Sequence, residues 1–383
     1  MKQRLSLEMQ PDIQALFTPV FLAMRLMGHY PLGINVGRRF SVPTFIFFLF
    51  GIYFMAALSY RLISIPIFYS YHIALIIHGI LELIAYISVV CKLREMANTV
   101  QTLKTLQEKL PYMPTLKSEY RCFIWFFIIN VLLLIAILAN CWIRVSVDGG
   151  FKQLAITYFF VIDEMTAFWH VMTKIAMVAI ICLSQVIPTF SLLFYMLSCI
   201  VFKNLCYGFK KSLKGEKNMQ SCVQLHTICK DLAYAISDFN SKINFFIFLM
   251  YLGLCMKTLR CIQALYFNFS MSTLTYNGPL ICHTMTSFIA VTIPASQVHT
   301  AFEKISEEVD SMKYRNVTFE KKCLFILKLK NTRAALTLWD VFDINKNMLL
   351  STLGFIFSYS AILYEIDKSR FTDLNTSFKE SLR

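Results

Sequence analysis

The sequence predicts an all-α membrane protein of seven transmembrane helices. The N-terminus is expected in the cytosol, the C-terminus outside, and several spans are expected to continue as cytosolic helical extensions. The first support is composition. Of 383 residues, 57% are hydrophobic and only 16% charged, against roughly 45–50% and ~25% in soluble domains. Soluble domains could not keep so much apolar surface from water, whereas lipid can replace water as the solvent. The 35 Phe and 18 Tyr suit lipid-facing and interfacial positions. The second support is a series of charge-free runs long enough for a bilayer core, which needs about 20 residues. The third is where the basic residues fall between those runs. A soluble enzyme, a disordered tail and a secreted disulfide scaffold are excluded.

In the opening segment, 1–43, Met1-Lys2-Gln3-Arg4 continues into polar residues and a Pro instead of an apolar signal-peptide core, so no cleaved leader is expected. Phe40–Tyr60 is the first span, and Leu62–Leu81, continuing past Glu82 to Cys91, is the second. Cys122–Ile143, 22 residues without a charge, is the third. Ile175–Phe202 is 28 residues long with Pro188 inside, which predicts one tilted or kinked fourth span. Cys261–Phe302 is charge-free for 42 residues, but Asn277-Gly278-Pro279 reads as a turn. The fifth span is therefore about Ile243–Leu265, within a five-span region 44–265, and the sixth is Leu280–Val298, with its outer turn in 266–298. Segment 299–344 reads as cytosolic and helical, 345–366 as the seventh span and 367–383 as an extracellular tail. Arg94–Lys109 and Met219–Asn240 place apolar residues, among them Val223, Ile228, Leu232 and Ile236, at helical spacing and read as inward extensions of spans.

Charge orients the parse. Segments on the N-terminal side of the membrane hold 27 of the 37 Lys and Arg, those on the other side hold 8, and two lie in span five. That bias puts the N-terminus inside. It also explains the net charge of +14 without nucleic acid, since the basic residues sit between spans and not on a compact basic domain. A G-protein-coupled receptor has the opposite orientation, and this chain lacks Asp-Arg-Tyr after span three and Asn-Pro-x-x-Tyr in span seven. The twelve Cys lie in spans or cytosolic segments, as small apolar fillers. No nucleophile–base pair, phosphate loop or metal cluster occurs, so no catalytic residue, metal or cofactor is predicted.

Span seven ends Ser358-Tyr359-Ser360-Ala361-Ile362-Leu363-Tyr364-Glu365-Ile366. This resembles the C-terminal signature of insect gustatory receptors: Thr-Tyr, five mostly hydrophobic residues, then Gln-Phe. Ser358 stands for the Thr, Tyr359 matches, and Glu365 and Ile366 replace the Gln and Phe. Phe342-Asp343-Ile344 with Leu349-Leu350 and Gly354 is similar to the family's approach to that signature. Leu16–Pro31, with Pro19, Arg25 and Gly28, resembles its opening segment. The resemblance implies a tetrameric, ligand-gated, nonselective cation channel in the plasma membrane of chemosensory neurons. It implies a central pore lined by span seven and a tastant in the outer half of spans two to six. The chain would assemble with itself or with related receptors. An insect odorant receptor subunit and a metabotropic receptor are the alternatives.

Ser351, Ser358 and Glu365 recur at intervals of seven with Ile362 on the same face, a polar stripe that needs water or protein beside it. The bland alternative is that the serines bond back to carbonyls four residues earlier. By the resemblance these residues line the pore, Glu365 as a carboxylate ring and Ile366 as a hydrophobic constriction. Candidate pocket residues, on the same implication, are His72, Asn140, Trp142, Gln185, Lys257, Arg260 and His283. Lys257 and Arg260 share one face of span five and either snorkel to the outer interface or line the pocket. Glu82 is expected toward the cytosolic side of span two with a cytosolic or buried basic partner. His72 and His78, six apart, lie on different faces and do not suggest a shared metal.

Overall fold

The structure, a computed structural model, describes residues 13–26, 49, 52, 70–110, 117–146, 171, 185–215, 219–267, 271–311, 336–338 and 342–381. Span one, the first part of span two and most of the connection between spans three and four lie outside them. The described residues form α1 (Ile13–Leu26), α2 (Ser70–Lys109), α3 (Lys117–Ser146), α4 (Ile187–Gly215), α5 (Met219–Phe267), α6 (Met271–Ser311), β1 (Thr337–Leu338), β2 (Phe342–Asp343) and α7 (Lys346–Ser381). Five of these helices, α3 to α7, are long and apolar enough to cross a membrane.

The extensions expected from helical spacing are continuous with their spans. α2 runs for 40 residues and buries Val100, Leu103 and Leu106 beyond its apolar half. α5 runs for 49 residues and buries Leu232 and Ile236 before it reaches the apolar run. α4 is the hub, in contact with α1, α2, α3, α5 and α6. Phe194 shows how α1 is held there: its ring lies 5.3 Å from Phe17 and 5.8 Å from Phe21. Salt bridges from Lys203 to Glu119 (2.6 Å) and from Lys109 to Asp231 (2.6 Å) tie α4 to α3 and α2 to α5.

Two expectations are corrected. Pro188 is not one of them: residues 185 and 186 are π-helix that runs directly into α4, and 175–184 of the expected fourth span lie outside the described residues. Asn277-Gly278-Pro279 is not a turn, since α6 passes through it unbroken. Pro279 has no N–H to offer the carbonyl of Thr275, one turn earlier. That carbonyl instead accepts from Asn140 Nδ2 of α3 at 3.2 Å, and Asn277 Nδ2 donates to Thr273 O at 3.1 Å. A neighbouring helix thus replaces what the proline removes, the usual way such residues survive inside membranes.

The second correction concerns 299–344, which is not helical throughout. α6 ends at Ser311, and β1 pairs antiparallel with β2, Thr337 opposite Asp343 and Leu338 opposite Phe342. The side chain of Asn240 in α5 grips this ribbon twice: Thr337 N donates to its Oδ1 at 2.8 Å, and its Nδ2 donates to Thr337 Oγ1 at 2.9 Å. Leu336, Leu338 and Ile344 are buried beneath it. The ribbon leads directly into α7, which continues past Ile366 to Ser381, so the tail begins as helix.

Candidate functional site

Helices α2, α4, α5 and α6 line a partly open pocket of about 380 Å³, a volume that includes the open space at its mouth. α5 contributes Leu249, Met250, Gly253, Leu254 and Lys257, positions that recur on one helical face. α2 contributes His78, Leu81, Glu82 and Ala85 with the same periodicity, the π-helical turn before α4 adds Gln185, α4 adds Pro188, Thr189 and Leu192, and α6 adds His283 and Ser287. Gly253 makes room. A Cβ placed there would meet no atom within 4 Å.

The wall is apolar except for Ser287, which donates to the His283 carbonyl at 2.8 Å, and two connected polar groups. In the first, Lys257 Nζ donates to Gln185 Oε1, and Gln185 Nε2 donates to Glu82 Oε1 at 3.4 Å. Glu82 also lies 3.1 Å from His78 Nε2, one turn away on α2. Lys257 is only 3% exposed, and a lone buried ammonium in a bilayer is costly. Gln185 supplies a direct acceptor and Glu82 the compensating charge, one amide further on. The second group is Thr189 of α4 with His283 of α6, their Oγ1 and Nε2 2.8 Å apart.

Among the pocket residues expected from sequence, Gln185, Lys257 and His283 therefore meet on one wall. Lys257 is not at the interface, because its amide and carboxylate neighbours lie inside the bundle. Arg260 is half-buried and lies outside the cavity wall. Asn140 caps α6, as described above. Trp142 is 55% exposed beside exposed Ile143 and faces away from the cavity. The side chain of His72 is outside the described residues. His78, Glu82, Thr189 and Ser287 complete the wall. Of the two partners expected for Glu82, the buried one is found: it shares the wall with Lys257. The signal in the sequence was the His78–Glu82 pair, spaced to share one face of an otherwise apolar helix.

Span seven is a different surface. Ser351, Ser358, Ile362, Glu365 and Ile366 are all exposed in the single chain, as is Tyr359, which stacks on Phe355 at 5.0 Å. The back-bond to a carbonyl is made by Ser360, outside that stripe, which is fully buried and donates to Ile356 O at 2.7 Å. The opposite face of α7 holds to the bundle. Tyr251 of α5 and Thr352 share a hydrogen bond of 2.8 Å, and the rings of Tyr266 and Tyr364 lie 5.2 Å apart.

The helical arrangement has solved counterparts. The insect olfactory receptor OR5 from Machilis hrabei superimposes with a TM-score of 0.67 at 12% identity, over 92% of this chain and 98% of that one. The same receptor in complex with eugenol gives 0.70 at 12% identity, with the same coverage. No curated protein matches the sequence. A family model described as 7tm chemosensory receptor matches residues 19–369. With the long apolar helices and the inner cavity, this match makes the chain a multi-pass membrane protein belonging to the seven-transmembrane chemosensory receptor family.

Proposed function

We propose that the chain is a gustatory chemoreceptor that works as a ligand-gated, nonselective cation channel. A small tastant, a plant bitter compound or a sugar, occupies the cavity between α2, α4, α5 and α6. Four copies, of this chain or with relatives, surround a pore lined by α7, with the N-terminus in the cytosol. The observation that carries this reading is that one helix serves both surfaces. α5 lines the cavity through Gly253 and Lys257 and bonds α7 through Tyr251. The exposed stripe on α7 supports a pore, because a helix bearing hydroxyls and a carboxylate needs a wet or protein surface beside it. The signature at Ser358–Ile366 supports the gustatory branch, and the eugenol complex of OR5 supports a small organic ligand.

The test is electrophysiology in host cells with G-protein signalling blocked, using sugars, bitter compounds and volatile odorants. Ligand-evoked current that survives the block supports the channel, and its loss returns the metabotropic reading. Responses confined to volatiles would favour an odorant receptor subunit. Gly253→Leu puts an apolar side chain into the pocket at a position where its Cβ meets no atom within 4 Å. It should abolish the current while leaving surface expression unchanged. A response untouched by this variant would place the ligand elsewhere.

A further inference from the structure

The polar groups of the cavity constrain what can fill it. Thr189 has one hydroxyl proton. Its Oγ1 lies 2.5 Å from the carbonyl oxygen of Gln185, and since a carbonyl brings no proton, the threonine proton must lie between them. Thr189 therefore has only lone pairs left for His283 Nε2, 2.8 Å away. The imidazole must carry a proton on Nε2, and in the neutral ring Nδ1 is then a bare acceptor. That atom is buried, in a side chain that is 3% exposed, and it has no hydrogen-bond partner among the described residues. Leaving such an atom unpaired is unfavourable. Lys257, on the same wall, has N–H groups beyond the one given to Gln185. Lys257 and Glu82 contribute one charge of each sign, so the wall offers no net charge to offset the cost of stripping water from a charged ligand.

We propose, building on the ligand-gated reading above, that the cavity selects small uncharged molecules bearing a hydroxyl group, with His283 Nδ1 as the acceptor of the hydroxyl proton. A hydroxyl is both donor and acceptor, so the same group can take a proton from Lys257. An ether of the same shape can accept from Lys257 but leaves Nδ1 unpaired, and sites built around such a bond discriminate strongly against ligands that lack it.

The experiment measures equilibrium binding to the purified full chain in lipid nanodiscs with three matched pairs: 2-phenylethanol, phenol and cyclohexanol, each against its methyl ether. Each hydroxyl compound should bind at least about tenfold more tightly than its ether. His283→Phe should reduce that preference to within about twofold while the ethers still bind. Thr189→Val is nearly isosteric and frees the ring to move its proton to Nδ1, so it should erase the preference in the same way, including where His283→Phe fails to fold. Equal affinity of alcohol and ether in the wild type, a preference undiminished in Thr189→Val, or no binding by any of the alcohols would overturn the proposal. The channel reading fails separately. Hydroxyl-selective binding without current would remove the channel and leave this selectivity standing, whereas current evoked only by ethers or acids would do the reverse.

Discussion

Helices α4 and α7 are almost equally apolar and sit in opposite surroundings. Their most apolar stretches have mean hydropathies of 1.6 and 1.5, yet 89% of the first is buried inside the chain and 11% of the second. Hydropathy decides that both enter the membrane. It does not decide which one becomes the hub, because lipid tails are as apolar as the bundle interior and give no hydrophobic drive between helices. The disposition of polar groups separates them. α4 satisfies its own: Ser191, Ser198 and Ser212 each bond to the carbonyl four residues earlier, at 2.9 to 3.0 Å. It can therefore be surrounded on every side. α7 keeps Ser351, Ser358 and Glu365 on a face that nothing among the described residues covers.

The comparison is most severely tested by removing equivalent bulk from each helix. Phe194→Ala, at a fully buried ring between Phe17 and Phe21, should cost about 3–5 kcal/mol and lower the melting temperature of the detergent-purified protomer. Phe355→Ala, at a ring 63% exposed in the single chain, should leave protomer melting nearly unchanged, within about 0.5 kcal/mol. Equal losses would mean that α7 is packed as tightly as α4. Next in size is Asn240→Ala. It breaks both bonds to Thr337 at the root of α7 and should cost roughly 1–3 kcal/mol, seen as faster proteolysis near β1. An unchanged cleavage pattern would show that the ribbon holds without it.

A smaller effect is expected for Tyr251→Phe, which removes the hydroxyl bonded to Thr352. Such bonds in membranes are worth about 0.6 kcal/mol, roughly a threefold shift in half-maximal ligand concentration. No shift would mean that α5 and α7 respond independently. The smallest effect on stability, and the most specific, belongs to Glu365→Gln, which removes charge and keeps shape. Four carboxylates around an axis concentrate cations, so the variant should keep its ligand response and lose relative calcium permeability. Identical reversal potentials in calcium-rich and sodium-rich baths for both proteins would place the exposed face of α7 away from the conduction path.

Much of the fold was legible because single helices write their own signals. Charge-free runs marked α3 and the membrane part of α7, and periodicity marked the long extensions of α2 and α5. Relations between distant residues were not legible. Asn277-Gly278-Pro279 carries turn chemistry for water, and the Asn140 that rescues the helix is 135 positions from the carbonyl it caps. Lys257 read equally well as an interfacial cation, because its amide partner Gln185 is 72 positions away. Gln185, Lys257 and His283 stood out as polar residues in apolar runs. Thr189 did not, since a threonine in a membrane helix ordinarily bonds to its own backbone, and here it does so while also holding a histidine.

The length of α5 has a mechanical meaning. An unbroken helix of 49 residues is a rod of about 73 Å, and Lys257 and Asn240 are fixed to it about 26 Å apart. A rigid rod turns small angles into large displacements. If it tips by 5° about its cavity end, the end that grips the ribbon sweeps through about 2 Å, the scale on which helix shifts act as switches. The stretch of α5 that lines the cavity, Leu249 to Lys257, moves by at most about 1 Å in the same tilt, and leverage supplies the rest.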